Sequence, residues 1–298
     1  MSSNRWSFGL LVTLSACFLG SSRLEGQPRV STLGVERDAK QPFAVPFDLY
    51  NDHWILVKGS IGSIENVNIL IDTGTSPTAI SEKIGEQLNL RGNRETLFMS
   101  NRKIEVESVI LPRLQIGELR VESLRVVVRD LSFLGQKFGT TIGAIAGLDV
   151  LSSTSLMIDY SKRKIVFGQV KLGRKCIPFE SQKPFLTVKA KIEGQELRLL
   201  VDSGTGGLLV YRNRLRAKLE PLLTNHDAEI STAAGVMRTE WLRASHVFLG
   251  KENLGPQIML VADVEPDPRF EFDGLLGFTK TGFRRVWLDF ENRVLGWD

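Results

Sequence analysis

Cysteine and histidine are scarce in this sequence, and their scarcity excludes two common ways of building a functional site. The 298 residues include 2 cysteines and 3 histidines. Cys17 lies near the N-terminus, so Cys176 is the only thiol of the remaining chain, and one thiol cannot form an intrachain disulfide. His53, His226 and His246 are scattered, without an H-E-x-x-H motif or paired cysteines. We therefore predict no metal, no cofactor and a fold stabilised by its hydrophobic core.

The sequence also lacks a strong excess of one charge. Its 38 basic and 34 acidic residues give a net charge of +4, and the two signs are interleaved. The basic clusters at 162–164 and 284–285 are short, as expected for a solvated surface. Beyond the N-terminal region, no apolar run is long enough to cross a bilayer. We expect neither a nucleic-acid partner nor a membrane span in the body of the protein.

Residues 1–26 have the composition of a targeting segment. Arg5 supplies a positive charge, and the apolar stretch from Trp6 to Phe18 is too short to span a bilayer comfortably. This pattern predicts export, to the periplasm, the extracellular medium or a lipid anchor at the cell envelope. Two alternatives stay open for its processing. The stretch LSAC, which ends at Cys17, resembles a bacterial lipobox with a lipidated cysteine, and its small residues also suit ordinary signal-peptide cleavage.

The most informative feature is an internal repeat. NILIDTGTSPTAIS (68–81) aligns with RLLVDSGTGGLLVY (198–211), GAIAGLDVL (143–151) with DGLLGFTKT (273–281), and LMIDYSKRKIVF (156–167) with VWLDFENRVLGW (286–297). The paired residues are Asp72 with Asp202, Gly147 with Gly277, and Asp159 with Asp289. All three pairs are 130 residues apart. Three separated matches at one offset indicate a tandem duplication.

The two copies read as short β-strands separated by Gly, Asn, Asp and Pro turns. Short helices are predicted in equivalent places, at 81–90 and 212–223. After the targeting segment we expect an N-terminal extension at 27–42, a first lobe at 43–172 and a second lobe at 173–298. Asp159 and Asp289 each begin a hairpin turn, and we interpret them as turn-capping residues.

Each copy ends a strand with two apolar residues followed by Asp-Thr/Ser-Gly-Thr, and later contains an apolar-apolar-Gly segment. This combination resembles the aspartic peptidases of the pepsin/retropepsin superfamily. It is most similar to retropepsin-like bacterial aspartyl proteases, and it covers nearly all of the chain after the targeting segment. The resemblance implies a mostly β, two-lobed acid-protease fold, with retropepsin-like β-barrel lobes related by a pseudo-twofold axis and few short helices.

The resemblance further implies an aspartic-type endopeptidase, a hydrolase acting on a peptide or protein substrate. Two carboxylates about 3 Å apart cannot both ionise, so they share a proton. The ionised carboxylate activates a water molecule, and the neutral one donates a hydrogen bond or proton to the substrate carbonyl. Asp72 and Asp202 are the predicted catalytic pair. Because both lobes belong to one chain, we expect a monomer with an intramolecular pseudo-dimer.

The same resemblance assigns support roles to the neighbouring residues. Gly74 and Gly204 would let backbone N–H groups approach the carboxylates, and Thr75 and Thr205 would hydrogen-bond their outer oxygens. Thr73 and Ser203 would cross-link the two loops through their hydroxyl groups, while Gly147 and Gly277 would pack beneath the loops.

Substrate-covering flaps are expected by position at 96–107 and 231–241. The second segment has a tip of small residues suited to a hairpin flap, namely Ser231, Thr232, Ala233, Ala234 and Gly235. Neither segment has a tyrosine where pepsin-like flaps carry one, so the pattern fits the shorter retropepsin-like lobe better.

Two other functions remain as alternatives. A non-catalytic member of the same fold would bind a peptide or glycan between its lobes. A serine peptidase would use Ser203, because VDSGTGG superficially resembles a chymotrypsin-like nucleophile motif. However, STAAG has Gly235 where that family needs its histidine, and Ser203 corresponds to Thr73 in the other copy. A duplicated nucleophile serves no purpose, whereas a duplicated carboxylate is required.

Overall fold

The computed structural model describes most of the chain. The described residues are 12–13, 18–20, 41–99, 103–169, 171–182, 184–215, 219–232, 235–263 and 271–298. Cys17, Ala233 and Ala234 therefore lie outside them, as does most of the extension at 27–42. Within these residues the protein consists mainly of β-strands, as the sequence predicts.

The strands and helices up to residue 167 form the first half of the fold. The strands are β1 (Val12–Thr13), β2 (Phe18–Gly20), β3 (Phe43–Pro46), β4 (Asp48–Tyr50), β5 (Trp54–Ile61), β6 (Ile64–Ile71), β7 (Ala79–Ser81), β8 (Asn93–Phe98), β9 (Lys103–Ile116), β10 (Leu119–Arg129), β11 (Ala144–Ala146), β12 (Leu156–Asp159) and β13 (Lys164–Phe167). The helices are α1 (Glu82–Gln87), α2 (Ser132–Phe138) and α3 (Leu148–Leu151).

The second half repeats this plan with 3₁₀ turns in place of α-helices among the described residues. The strands are β14 (Lys175–Pro178), β15 (Glu180–Gln182), β16 (Phe185–Ile192), β17 (Gln195–Val201), β18 (Leu208–Tyr211), β19 (Leu223–Thr232), β20 (Gly235–Leu249), β21 (Glu252–Ala262), β22 (Gly274–Leu276), β23 (Arg285–Asp289) and β24 (Val294–Trp297). The 3₁₀ turns are Arg212–Arg214 and Glu220–Leu222.

Each lobe is built on a nine-stranded sheet of the described residues. The order is β2-β8-β9-β10-β7-β11-β6-β5-β4 in the first lobe and β1-β19-β20-β21-β18-β22-β17-β16-β15 in the second. Apart from the short strands β1 and β2 at the edges, the two orders correspond element by element. The internal repeat is therefore a repeat of topology as well as of sequence.

A third sheet joins the lobes, and the sequence analysis did not predict it. Its six described strands run in the order β14-β24-β23-β12-β13-β3, so three come from each lobe. The lobes meet where β12 pairs antiparallel with β23, with Leu156 opposite Leu288 and Ile158 opposite Val286. These four side chains are fully buried. The lobes are thus connected by a continuous hydrogen-bonded sheet and its apolar core.

The centre of each lobe sheet is formed by parallel strands. Ile69–Ile71 of β6 lie beside Ala144–Ala146 of β11, and Leu199–Val201 of β17 lie beside Gly274–Leu276 of β22. These segments are buried, and continuous apolar runs are typical of parallel strands covered on both faces. The loops that follow β6 and β17 therefore leave the sheets from a buried, central part.

One of the two predicted helices is present and the other is wrong. The segment 81–90 contains α1, which Ser81 caps by accepting a hydrogen bond from Ile84 N at 3.3 Å. The segment 212–223 has only the two 3₁₀ turns among its described residues. Pro221 explains part of the difference, because it lacks an N–H and so fits the first residues of a short turn but not the interior of a longer helix.

The prediction of two turn-capping aspartates is confirmed. Asp159 Oδ1 accepts a hydrogen bond from Lys162 N at 2.8 Å, and Asp289 Oδ1 accepts one from Asn292 N at 3.0 Å. Cys176 is exposed and unpaired. Among the described residues, no helix is long and apolar enough to cross a membrane. The same residues contain no group of His, Cys, Asp and Glu that could hold a metal ion.

Candidate active site

Asp72 and Asp202 follow directly after the buried strands β6 and β17. The neighbouring parallel strand holds each backbone in place, since Asp72 N donates to Ala146 O at 3.0 Å and Asp202 N donates to Leu276 O at 3.0 Å. Both aspartate side chains are fully buried. The sheet topology thus brings two acids that are distant in sequence to equivalent positions at the junction of the lobes.

Each carboxyl group accepts the same two hydrogen bonds from its own loop. Gly74 N donates to Asp72 Oδ1 at 2.8 Å, and Thr75 Oγ1 donates to Asp72 Oδ2 at 2.7 Å. In the second lobe, the corresponding donors to Asp202 are Gly204 N at 2.7 Å and Thr205 Oγ1 at 2.8 Å. These contacts are the ones that the resemblance assigned to these glycines and threonines.

The two carboxyl groups face each other across the lobe junction, close enough for the charge of Asp202 to raise the pKa of Asp72. The opposing glycines make this approach possible. A Cβ added to Gly74 would lie 2.5 Å from Asp202 Cγ, and one added to Gly204 would lie 3.0 Å from Asp72 Cγ. A side chain at position 74 would therefore collide with the opposite carboxyl group, so the first glycine is required by close approach of the backbone.

The environment favours the protonated form of these acids. Burial raises the pKa of Asp72 well above its ordinary value of 3.8, and the negative charge of Asp202 raises it further. Burial also raises the pKa of Asp202, although the hydrogen bond from Thr205, the interaction with Asp72 and the loop amides oppose the rise. A buried pair of this kind retains a proton that an isolated, exposed carboxylate would lose.

The residues after the two aspartates exchange hydrogen bonds between the lobes. Thr73 N donates to Ser203 Oγ at 3.0 Å, and Ser203 N donates to Thr73 Oγ1 at 2.9 Å. The hydroxyl groups then donate onward, Thr73 Oγ1 to Val201 O at 3.0 Å and Ser203 Oγ to Ile71 O at 3.3 Å. Both side chains are fully buried. We call this arrangement the hydroxyl exchange, and it fixes one loop relative to the other.

Gly147 and Gly277 lie against the backbones of the loops. A Cβ on Gly147 would be 2.4 Å from Thr75 O, and one on Gly277 would be 2.1 Å from Thr205 O. Any larger residue at either position would displace the threonine that binds the carboxyl group.

Trp54 is a site residue that the sequence analysis missed. From the first lobe, its Nε1 donates to Gly204 O of the second loop at 3.0 Å, and the whole side chain is buried. The ring packs edge-on against Phe138, with centroids 4.5 Å apart. No sequence pattern signals this contact, because the two partners are 150 residues apart and Trp54 has no tryptophan counterpart in the second copy.

The two predicted flap segments form hairpins. β8 pairs with β9 in the first lobe, and β19 pairs with β20 in the second. At the end of the second hairpin, Ser231 pairs with Val236 and Thr232 pairs with Gly235. Ala233 and Ala234, between these pairs, lie outside the described residues, as do residues 100–102 of the first hairpin.

The structure does not arrange Ser203 as a nucleophile. Its hydroxyl group is occupied by the hydroxyl exchange. His53 is buried with Nδ1 2.6 Å from Asn51 O, and His246 Nδ1 lies 3.2 Å from Glu193 Oε2. Among the described side chains, no histidine is hydrogen-bonded to Ser203, which a catalytic triad requires.

Comparison with known proteins agrees with the geometry. A profile of the family described as aspartyl protease matches residues 57–150 and 188–279, one match in each lobe. Among solved structures, the chain is similar to the aspartic proteinase from Irpex lacteus, with 16% identity and a TM-score of 0.52 over 86% of this chain and 97% of that one. A sequence search of curated proteins found no match. The family match covers both copies of the repeat, and this chain belongs to the aspartyl protease family.

Proposed function

We propose that the protein is an aspartic endopeptidase in which Asp72 and Asp202 form the catalytic pair. The observation that carries this proposal is the pair of buried carboxyl groups that face each other at the lobe junction, each held by the same two donors of its own loop. A structural acid in a protein interior is normally paired with a basic group, whereas two acids in contact share one proton. This arrangement is suited to general acid–base chemistry on a water molecule.

The proposed reaction needs both protonation states at once. The ionised carboxylate accepts a proton from the attacking water, whose oxygen bonds to the carbonyl carbon of the scissile peptide. The protonated carboxyl group donates its proton to the carbonyl oxygen. Collapse of the tetrahedral intermediate then breaks the C–N bond as a proton passes to the departing nitrogen. The proton belongs to the pair, and no assignment to one aspartate is needed.

We propose that the substrate is an extended peptide segment of a peptide or protein. The β8–β9 and β19–β20 hairpins supply backbone groups of the kind that hold an extended chain, and they support the assignment of both as flaps. The sheet shared by the lobes supports a monomer, because it joins the two halves within one chain. Export of the protein, with lipidation of Cys17 or ordinary leader cleavage, remains part of this proposal.

The decisive experiment is a peptide-library digest over a range of pH, comparing the wild type with Asp72→Asn and Asp202→Asn. Each substitution should abolish cleavage without unfolding the protein, because the amide keeps the shape of the carboxyl group but cannot cycle a proton. Asp159→Asn is the matched control, since it makes the same change at a buried, turn-capping aspartate, and it should cleave normally.

Three results would overturn the proposal. Cleavage that persists in either variant would exclude the carboxyl pair. Cleavage blocked by a serine-directed reagent and not by pepstatin would favour the serine peptidase. Absence of cleavage by a folded wild type that still binds peptides or glycans would favour the non-catalytic alternative.

A further inference from the structure

We propose that Asp149 is a positioning residue that holds the loop of Asp72 in its working geometry through Thr78. This inference rests on the proposed function, because positioning has a kinetic meaning only if the carboxyl pair is catalytic. Asp149 lies in α3, outside both Asp-Thr/Ser-Gly motifs. It touches neither catalytic carboxyl group, so its effect must pass through other residues.

Asp149 binds Thr78 with both of its carboxyl oxygens. Thr78 N donates to Asp149 Oδ2 at 2.9 Å, and Thr78 Oγ1 donates to Asp149 Oδ1 at 2.7 Å. Thr78 is fully buried and immediately precedes β7. The two bonds form a fork that fixes the backbone and the side chain of Thr78 together.

The direction of these bonds suits a carboxyl group that accepts at both oxygens. Thr78 Oγ1 accepts a hydrogen bond from Gly147 N at 3.0 Å, so its own hydrogen is free to be donated to Asp149. Both oxygens of Asp149 therefore act as acceptors. Burial raises the pKa of Asp149, but the hydrogen bonds from Thr78 and from the amides of Asp149 and Val150 oppose that rise.

A short path of hydrogen bonds connects this fork to the first catalytic residue. Gly147, held by Thr78, places the next amide so that Leu148 N donates to Thr75 O at 2.9 Å. Thr75 in turn donates its hydroxyl group to Asp72 Oδ2 at 2.7 Å. Release of Thr78 would thus loosen both the glycine beneath the loop and the threonine that orients the carboxyl group.

The second lobe has no such carboxylate. At the positions equivalent to Thr78 and Asp149, 130 residues later, it has Leu208 and Thr279. There Gly277 N donates to the backbone oxygen of Gly207 at 2.9 Å instead of to a side chain. The otherwise symmetric site is therefore supported by a carboxyl side chain on one side and by backbone and threonine hydroxyl groups on the other. This asymmetry predicts that only the Asp72 loop depends on a carboxylate.

The kinetic test compares Asp149→Ala and Asp149→Asn with the matched control Asp159→Ala, using a peptide that the wild type cleaves. Misplacing a catalytic group by a fraction of an ångström lowers kcat, and we expect a loss of about 10- to 100-fold in the alanine variant. KM should stay within about threefold, because Asp149 does not bind substrate in this proposal. The asparagine variant, which can accept only one of the two bonds, should lie between alanine and wild type.

Asp159→Ala should retain the wild-type kcat, since Asp159 caps a turn in the shared sheet by accepting a hydrogen bond from Lys162 N. A wild-type kcat in Asp149→Ala would overturn the inference. So would a rise in KM alone, which would make Asp149 a substrate-binding residue. An equal loss in Asp159→Ala would also overturn it, because the effect would then be one of general destabilisation.

A second measurement decides the inference even if no peptide is cleaved. Hydrogen–deuterium exchange should show that Asp149→Ala speeds exchange at the amides of Thr78 and Gly147 by about tenfold or more, without a change at residues 203–208. Unchanged exchange in the first loop would refute the positioning role. An inactive wild type with this exchange pattern would refute the proposed function and leave the structural role of Asp149 established.

Discussion

Thr73→Val tests how much the hydroxyl exchange contributes to the association of the two lobes. Valine has nearly the shape of threonine, so the substitution removes a hydroxyl group and creates little cavity. Thr73 Oγ1 accepts a hydrogen bond from Ser203 N and donates one to Val201 O, at 2.9 and 3.0 Å. Both bonds lie at a junction with no exposed side-chain surface at Thr73 or Ser203.

The expected magnitude follows from the groups that lose a partner. A buried donor or acceptor left without a hydrogen bond costs about 1–3 kcal/mol. Thr73→Val leaves two such groups, so we expect the free energy of unfolding to fall by about 2–6 kcal/mol. Thr73→Ser keeps the hydroxyl group and loses one methyl group, which should cost about 1 kcal/mol. Ser203→Ala should cost less than Thr73→Val, because the bond from Ser203 Oγ to Ile71 O is longer, at 3.3 Å.

The assay is equilibrium unfolding in urea, followed by tryptophan fluorescence and by circular dichroism so that unfolding of one lobe alone is detected. Thr73→Ser is the control for loss of volume without loss of the hydroxyl group. The reasoning would be refuted if Thr73→Val were within about 0.5 kcal/mol of wild type, the usual range for surface substitutions. It would also be refuted if the serine and valine variants were equally destabilised.

Three further predictions concern the same site. Trp54→Phe keeps an aromatic ring but leaves Gly204 O without its buried donor, so the free energy of unfolding should fall by about 1–3 kcal/mol in urea titrations. Gly74→Ala places a Cβ 2.5 Å from Asp202 Cγ, so it should separate the carboxyl groups and lower kcat by about 100-fold in a peptide-cleavage assay. The raised pKa of Asp72 means that the folded protein binds this proton more tightly than the unfolded chain, so stability should fall as pH rises from 3.8 through the raised value. Asp72→Asn should therefore lose less stability than the wild type as the pH rises above 3.8, as measured by urea unfolding at each pH.

Each of these predictions has a contradicting outcome. An unchanged unfolding free energy in Trp54→Phe would show that the indole contact contributes nothing to the lobe junction. Normal cleavage by Gly74→Ala would mean that the carboxyl groups need not be in contact. A pH dependence of stability that is identical in Asp72→Asn and wild type would contradict a raised pKa at Asp72. Gly296→Ala, which adds a Cβ no closer than 3.4 Å to a neighbouring segment at a glycine outside the site, controls for glycine substitution in general.

Much of the site could be predicted because it is duplicated. One Asp-Ser-Gly after an apolar run is ambiguous, but its alignment with Asp-Thr-Gly in the first copy makes the acid the shared feature and the hydroxyl group interchangeable. The predicted mostly β, two-lobed fold is confirmed by the structure and by the family match. The hydrogen bonds of Gly74 and Thr75 could likewise be anticipated, because their donors are two and three residues from the acceptor and depend mainly on the local loop.

What the sequence could not predict are the contacts between segments that do not share a motif. The shared sheet depends on β12 and β23, whose apolar pattern shows that they are strands but carries no information about partner choice. The prediction of a helix at 212–223 was wrong. It followed from the apolar spacing alone, which does not take account of Pro221.

The sequence by itself determined the duplication, the acids and the residues adjacent to them, because these are local properties that the repeat makes visible twice. Only the tertiary structure decided that Trp54 reaches the opposite loop and that Asp149 holds Thr78, 71 residues away. Both contacts break the symmetry of the repeat, so comparison of the copies could not reveal them. The physical reason is that hydrogen bonds between distant segments are set by how the sheets and lobes pack, and packing is a property of the whole chain.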